Sequence, residues 1–273
     1  MDNPPKRVEI IPAKRRAMIL EYLKVNGTAS IQELAEVVGG SPSTVRRDLE
    51  NLTETGNLER THGGALLVPP MTATFEREPS LNAHMQHAQK LAIGREAARR
   101  LKGGESVIFD SSSTVRQAVK ATVLRNISLT VVTNDVDIAA VCSEVPQWRA
   151  IVVGGTLKSG TSTLLGEPGE SFFETIHADV CFVGTYAVTN GLLTDASIEV
   201  AAIKRRMIRS ARRSILLVDS TKFQAPAFAT FGTLSDMAEV ITDDGIGAEV
   251  IAGLRAAGRT VTVVPTQPAA TGP

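Results

Sequence analysis

The stretch Ser41-Pro42-Ser43-Thr44-Val45-Arg46-Arg47-Asp48-Leu49 constrains this chain more than any other. Ser41 is placed to cap a helix, and Pro42 at its first position already has helical φ and lacks only a donor that would go unused. Val45, Leu49 and Leu52 fall at i, i+4 and i+7, on one apolar stripe. At that period Ser43, Arg47 and Glu50 project from the far side, with Arg46 on its flank. A short capped helix with hydroxyls and two arginines on its free face predicts an anionic partner, and double-stranded DNA is the one expected. Asp48, at the edge of the stripe, is read as orienting an arginine, not as a reader of bases.

The residues before it complete a motif. Pro12 opens a run with Ile19, Tyr22 and Leu23 on one side, ending near Gly27. Ser30-Ile31-Gln32-Glu33 reads as a capping box. Ile31, Leu34, Ala35 and Val38 then form a helical stripe, which Gly39-Gly40 stops. Two capped helices across a tight turn make a helix-turn-helix with the second in the recognition position. After Gly56 the period changes, and two β-prone pieces flank Gly63-Gly64, which predicts a hairpin. That hairpin is expected to act as a wing carrying Arg60 and His62. The DNA-binding set read from the sequence is Ser43, Thr44, Arg46, Arg47, Arg60 and His62.

With 273 residues the chain has room for two domains. It has no apolar run long enough to span a bilayer, and its polar, proline-bearing start is no signal peptide. Cys142 and Cys181 sit in apolar surroundings outside any C-x-x-C pair, so burial in a reducing cytoplasm is expected, with no metal and no cofactor. Charge is the awkward observation. Net charge is zero, and residues 1–65 carry nine Lys/Arg against nine Asp/Glu, whereas a DNA-binding domain is usually basic. The positive charge is clustered instead, as Lys14-Arg15-Arg16, Arg46-Arg47 and Arg60. Arg15 and Arg16 read equally well as a solvated face. Modest non-specific affinity is expected, with binding helped by several DNA-binding domains in one homo-oligomer, a dimer or tetramer.

Along the chain, residues 1–11 read as a leader, 12–67 as the winged helix-turn-helix, and 68–87 as a linker and the start of a connecting helix. That helix is expected over about 76–101. His84 and His87 within it lack a third ligand and are read as surface. From Glu105 short apolar runs alternate with helical stretches through residue 265, predicting a mostly parallel sheet covered on both faces. Strands are expected at 107–110, 127–133, 150–153, 178–184, 214–219, 240–243 and 260–264, with a long helix over 197–212. Residues 266–273 read as a disordered tail.

In such a sheet ligands bind outside the carboxyl ends of the strands. Asp110-Ser111-Ser112-Ser113-Thr114 follows the first strand and opens a helix whose N–H groups and dipole favour an anion. Thr133-Asn134 follows the second and Gly154-Gly155 the third; Lys222 follows the fifth, and Lys204 lies in the helix after the fourth. The effector-binding set is Asp110, Ser111, Ser113, Thr114, Thr133, Asn134, Gly155, Lys204 and Lys222, and the expected guest is a phosphorylated sugar. Each feature also has a structural reading, as a simple cap or a simple turn. Glu199 and Lys204 are five residues apart, about 140° around a helix, so they form no evident acid–base pair.

The first domain resembles the DeoR family of bacterial transcription regulators. The resemblance rests on Thr44-Val45-Arg46-Arg47-Asp48-Leu49 and on Arg60-Thr61-His62-Gly63-Gly64-Ala65. Residues 88–245 resemble that family's sensor domain, in Asp110 with Ser113-Thr114, Val132-Thr133-Asn134, Gly154-Gly155, Gly184, Glu199 with Lys204, Asp219 with Lys222, and Thr242-Asp243. The resemblance implies a ribose phosphate isomerase-like fold that senses a phosphosugar without turning it over. It implies a repressor of carbohydrate metabolism genes and not an enzyme. The alternatives are an isomerase-like enzyme and a regulator whose sensor no longer binds a ligand. One departure stands out, since the family usually has glycine where this chain has Ser112.

Overall fold

A computed structural model of the chain describes residues 10–61, 63–67, 73–76 and 78–266. The chain divides into two compact units, residues 1–86 and 87–273. The readings of the leader, the 68–72 linker and the tail from 267 onward, and that of His62, lie outside the described residues.

The first unit runs α1 (Pro12–Asn26), β1 (Thr28–Ser30), α2 (Ile31–Val38), α3 (Pro42–Glu54), β2 (Leu58–Thr61), β3 (Gly64–Leu67) and α4 (Pro79–His84). α1 starts at its proline and ends at Gly27, whose φ is +76°. The Ser30–Glu33 capping box forms in both directions, at 3.2 and 2.7 Å, and Gly39 ends α2 in the left-handed region. Ile19, Leu20, Leu23, Leu34, Val45, Leu49 and Leu52 are wholly buried in one core, each contributing about 1.5–3 kcal/mol relative to exposure. β2 and β3 form the expected hairpin, and β1 adds a third antiparallel strand. Gly64 is obligatory there, because the Ala29 carbonyl occupies the space a Cβ would need.

The single helix expected over 76–101 is two. α4 packs against α1, Leu81 and Met85 join the first unit's core, and the Gln86 N–H donates to the Glu21 carboxylate at 2.5 Å. Gln86 has φ +51°, which no helix accommodates, and α5 (His87–Ala98) begins the second unit. His84 and His87 are thus on different helices. No group of three or more His, Cys, Asp or Glu is placed to hold a metal among the described residues.

The second unit continues with β4 (Ser106–Phe109), α6 (Ser113–Val123), β5 (Leu129–Thr133), α7 (Val136–Ser143) and β6 (Trp148–Val152). A short hairpin, β7 (Thr156–Leu157) and β8 (Leu164–Leu165), precedes α8 (Gly169–Phe172), β9 (Ala178–Val183), β10 (Ala187–Thr189) and β11 (Leu192–Asp195). Then come α9 (Ile198–Arg209), β12 (Ala211–Leu217), β13 (Ala229–Thr233), β14 (Glu239–Asp243), α10 (Ala248–Ala256) and β15 (Val261–Val264). Seven strands form one parallel sheet in the order β15-β14-β12-β9-β4-β5-β6. The long helix expected to run to Arg212 stops at Arg209, and Ala211–Arg213 belong to β12, paired with β9.

Alternation along the strands builds two cores. Val107, Phe109, Val180, Phe182, Ile215 and Leu217 face α5, α6 and α7. Ile108, Cys181, Val183, Leu216 and Val218 face α9, α10 and a separate antiparallel sheet, β10-β11-β13. α5 and α6 cross closely because Gly94 has no side chain, with Gln117 backbone 2.6 Å from where a Cβ would sit. Cys142 and Cys181 are buried and free. Burial pushes the Cys142 thiol up to about 11 and that of Cys181 further, so both stay protonated and unreactive. No helix among the described residues is long and apolar enough to cross a membrane.

Candidate functional site

On α3 the Ser41 hydroxyl accepts the Thr44 N–H at 3.1 Å and lies 2.8 Å from the hydroxyls of both Ser43 and Thr44. Arg46 and Arg47 are exposed and make no hydrogen bond or ion pair among the described residues. Arg60 on the wing pairs loosely with Glu50 at 3.3 Å, both side chains being solvated, and a pair of that kind is easily exchanged for another anion. Asp48 does orient an arginine, but not on its own helix. It is buried and accepts Arg15 at 2.5 and 3.1 Å and Arg16 at 3.1 Å. Arg15 and Arg16 are therefore not a simple solvated face. In the neutral first domain Asp48 and Glu50 thus hold Arg15, Arg16 and Arg60, and among the described residues Arg46 and Arg47 are left unengaged.

In the second unit, β4 lies beside β9, the central strand of the sheet. The chain leaves β4 through α6 on one face, while β9 leads by way of α9 to the other. The crevice between β4 and β9 is thus the topological switch point, where open α/β sheets bind ligands. Asp110 follows β4 there and is 1% exposed. Its two oxygens accept the Ser112 N–H at 2.8 Å and the Gly184 N–H at 2.9 Å, joining the two loops that diverge at this point. Ser112 caps α6, its hydroxyl accepting the Val115 N–H at 3.3 Å. The side chain also rests on Gly184, its Cβ 2.6 Å from where a Gly184 Cβ would be. The added hydroxyl therefore caps the helix and occupies the crevice wall.

Lys204 stands differently from its expected role as a ligand's cation. It is 5% exposed and donates to Asp195 at 2.8 Å and to the Gly184 carbonyl at 3.1 Å, with Asp110 at 3.7 Å. Burial works to lower its pKa, but the Asp195 and Asp110 carboxylates outweigh that and hold it above the ordinary lysine value. It is an internal counter-ion. Lys222, in the turn after β12, lies 5.3 Å over the Tyr186 ring and is half-buried.

Thr133, Asn134 and Gly155 gather beneath the β7–β8 hairpin. The Thr133 hydroxyl accepts the Asp135 N–H at 3.1 Å, and the Asn134 amide donates to the Leu164 carbonyl at 3.0 Å. Asn134 is 1% exposed, and its side-chain oxygen has no hydrogen-bond partner among the described residues. Gly155, with φ +138°, lies under the Leu165 carbonyl, 2.6 Å from its would-be Cβ, so the close backbone approach anticipated there is met by the chain itself. Asp135 caps α7 and binds Arg116 at 2.6 Å; burial pushes its carboxyl up, and Arg116 offsets that only in part. Ser111 and Ser113 are half-buried and Thr114 is buried at the start of α6. Their hydroxyls make no hydrogen bond among the described residues.

The sequence reading missed Asp195 and Arg116, the partners of Lys204 and Asp135. Asp195 ends the four-residue β11, too short for periodicity to expose. Glu199, which the reading set apart from Lys204, is exposed and bonds Ser197 at 2.6 Å.

Residues 15–70 match the DeoR-like helix-turn-helix domain and residues 85–244 the DeoR C terminal sensor domain. The chain is 31% identical over 255 residues to the HTH-type transcriptional regulator GlpR of Haloferax volcanii, covering 92% of this chain and 98% of that one. It is 30% identical over 231 residues to the glycerol-3-phosphate regulon repressor of Escherichia coli, covering 84% and 90%. Among solved structures it is similar to ribose 5-phosphate isomerase A of Methanocaldococcus jannaschii, at 13% identity and TM-score 0.38 over 50% of this chain and 53% of that one. With both of its units matched in order, the chain belongs to the DeoR family, whose members are transcriptional regulators and not enzymes.

Proposed function

We propose that this regulator represses genes of carbohydrate metabolism by occupying specific operators, and that a phosphorylated sugar or related metabolite modulates that binding. The observation that carries the DNA half is the pair Arg46 and Arg47, exposed and unengaged on a capped helix. Ser43, Thr44, Arg60 and His62 are the accompanying contacts. The relative named for a glycerol-3-phosphate regulon supports both repression and a phosphorylated effector. The protein acts as a homo-oligomer, dimer or tetramer, because a neutral winged helix gains affinity from linked copies.

The phosphate sits at the start of α6, against its free N–H groups and the hydroxyls of Ser111, Ser113 and Thr114. The unpartnered Asn134 oxygen meets a sugar hydroxyl beside Thr133 and Gly155, and Lys222 supplies the cation. Asp110 and Lys204 hold the crevice from within. A second reading is favoured by Ser112 against Gly184, namely a sensor closed to ligands. Thermal shift and operator binding with a sugar phosphate panel separate the two. The first reading expects a raised melting temperature and altered operator affinity, both abolished in Ser113→Ala/Thr114→Ala with basal DNA binding intact. A panel that moves neither quantity leaves the closed sensor. Arg46→Ala and Arg47→Ala should each cost about 1–3 kcal/mol of operator binding; normal binding by both variants removes the DNA assignment.

A further inference from the structure

Asp48 holds two arginines with unequal grips. Arg15 commits three donors, Nε and Nη2 to the carboxylate and Nη1 to the Ile10 carbonyl at 2.9 Å. Arg16 commits Nε alone, at 3.1 Å. One carboxylate faces two guanidiniums, so the cluster keeps a surplus positive charge. The bidentate Arg15 cancels Asp48, and the surplus belongs to Arg16. The Arg16 side chain keeps 21% of its exposure against 2% for Asp48, and its Nη1 and Nη2 make no hydrogen bond among the described residues.

The cluster sits beside the recognition helix. The Arg15 stem passes 3.9 Å from the would-be Cβ of Gly40, in the turn between α2 and α3, and Asp48 follows Arg47 directly. A free arginine loses rotamer entropy when it is held in place, and the Nε anchor has already restricted that orientation.

We propose that Arg16 is a further contact to the DNA phosphate backbone, with Asp48 as the residue that positions it. The DNA-facing surface then extends from α3 and the wing onto α1. The proposal rests on the DNA-binding reading and needs no operator. It is tested by binding of the full chain to a 20-base-pair duplex of arbitrary sequence over a salt series.

Arg16→Ala should lower the slope of log K against log salt by about 0.9 per bound protomer and weaken binding roughly five- to tenfold at 0.1 M salt. Lys24→Ala removes the same charge from the last turn of α1 and should leave the slope as it was. Arg16→Lys should keep the slope yet bind more weakly than the parent, because a free ammonium replaces a held fork. Thermal melting checks that each variant is folded. A parental slope in Arg16→Ala, an equal loss in Lys24→Ala, or parental binding by Arg16→Lys overturns the proposal. Failure of the parent chain to bind duplex DNA would instead remove the DNA-binding reading beneath it.

Discussion

The recognition helix and the strand-end rim use their cations in opposite ways. On α3, Arg46 and Arg47 stand in solvent and make no ion pair among the described residues, which leaves them for a partner. At the rim, Lys204 and Arg116 are turned onto Asp195, Asp110 and Asp135 at 2.6–3.7 Å. A lysine beside the strand ends can thus be an internal counter-ion. The recognition we propose at the rim rests instead on N–H groups, hydroxyls and Lys222. Stability and function should therefore separate cleanly between the two regions.

The largest expected effect breaks the comparison if it fails. Lys204→Met leaves Asp110 and Asp195 buried without their cation and should cost about 3–5 kcal/mol. Trp148, the single tryptophan, lies in the second unit's core, so its fluorescence during urea unfolding reports that unit alone. Arg46→Ala with Arg47→Ala should stay within about 0.5 kcal/mol of the parent in thermal melting. A Lys204→Met protein as stable as the parent would return Lys204 to the ligand.

A smaller effect sharpens the account of the crevice. Gly184→Ala drives a methyl into Ser112 and should cost about 1–3 kcal/mol by overpacking. Ser112→Gly should restore most of that in the double variant, since glycine is a tolerable cap on its own. No coupling between the two would mean that they do not compete for the same space. Ser112→Gly by itself should strengthen any sugar phosphate response that the side chain obstructs.

The sequence exposed those features whose physics is local. The Ser30–Glu33 box, the Ser41 cap and the Val45-Leu49-Leu52 stripe are written within a few residues, and all appear where expected. All seven parallel strands were legible as short apolar runs, the inner ones β4, β9 and β14 because both of their faces are buried. β7, β8, β10, β11 and β13 were not, since they are short and, unlike the parallel strands, form no continuous apolar run between turn signals. Gln86 was hidden for another reason, because nothing in its type announces φ +51°. At the site the residue types were legible and their partners were not. Asp48 meets Arg15 from 33 positions away, and Asp110 meets Gly184 from 74.

The smallest expected effect contrasts the two ends of the sheet through acid titration. At its amino end Asp179 on β9 accepts the Ser106 N–H at 2.9 Å and hydroxyl at 2.7 Å. The backbone bond first and the hydroxyl second hold its carboxyl below the usual aspartate range. A lowered folded pKa contributes stability above the unfolded value of about 4, which is lost as pH falls through the folded one. At the carboxyl end Asp135 is pushed up by burial, so protonation there favours the folded state and the parent gains stability as pH falls through its raised pKa. The advantage of the parent over Asp179→Asn should hold from pH 7 to about pH 5 and shrink below about pH 4. Its advantage over Asp135→Asn should grow as the medium is acidified. Trp148 fluorescence in urea at several pH values measures both, and parallel trends in the two variants would contradict the contrast between the rim and the base of the sheet.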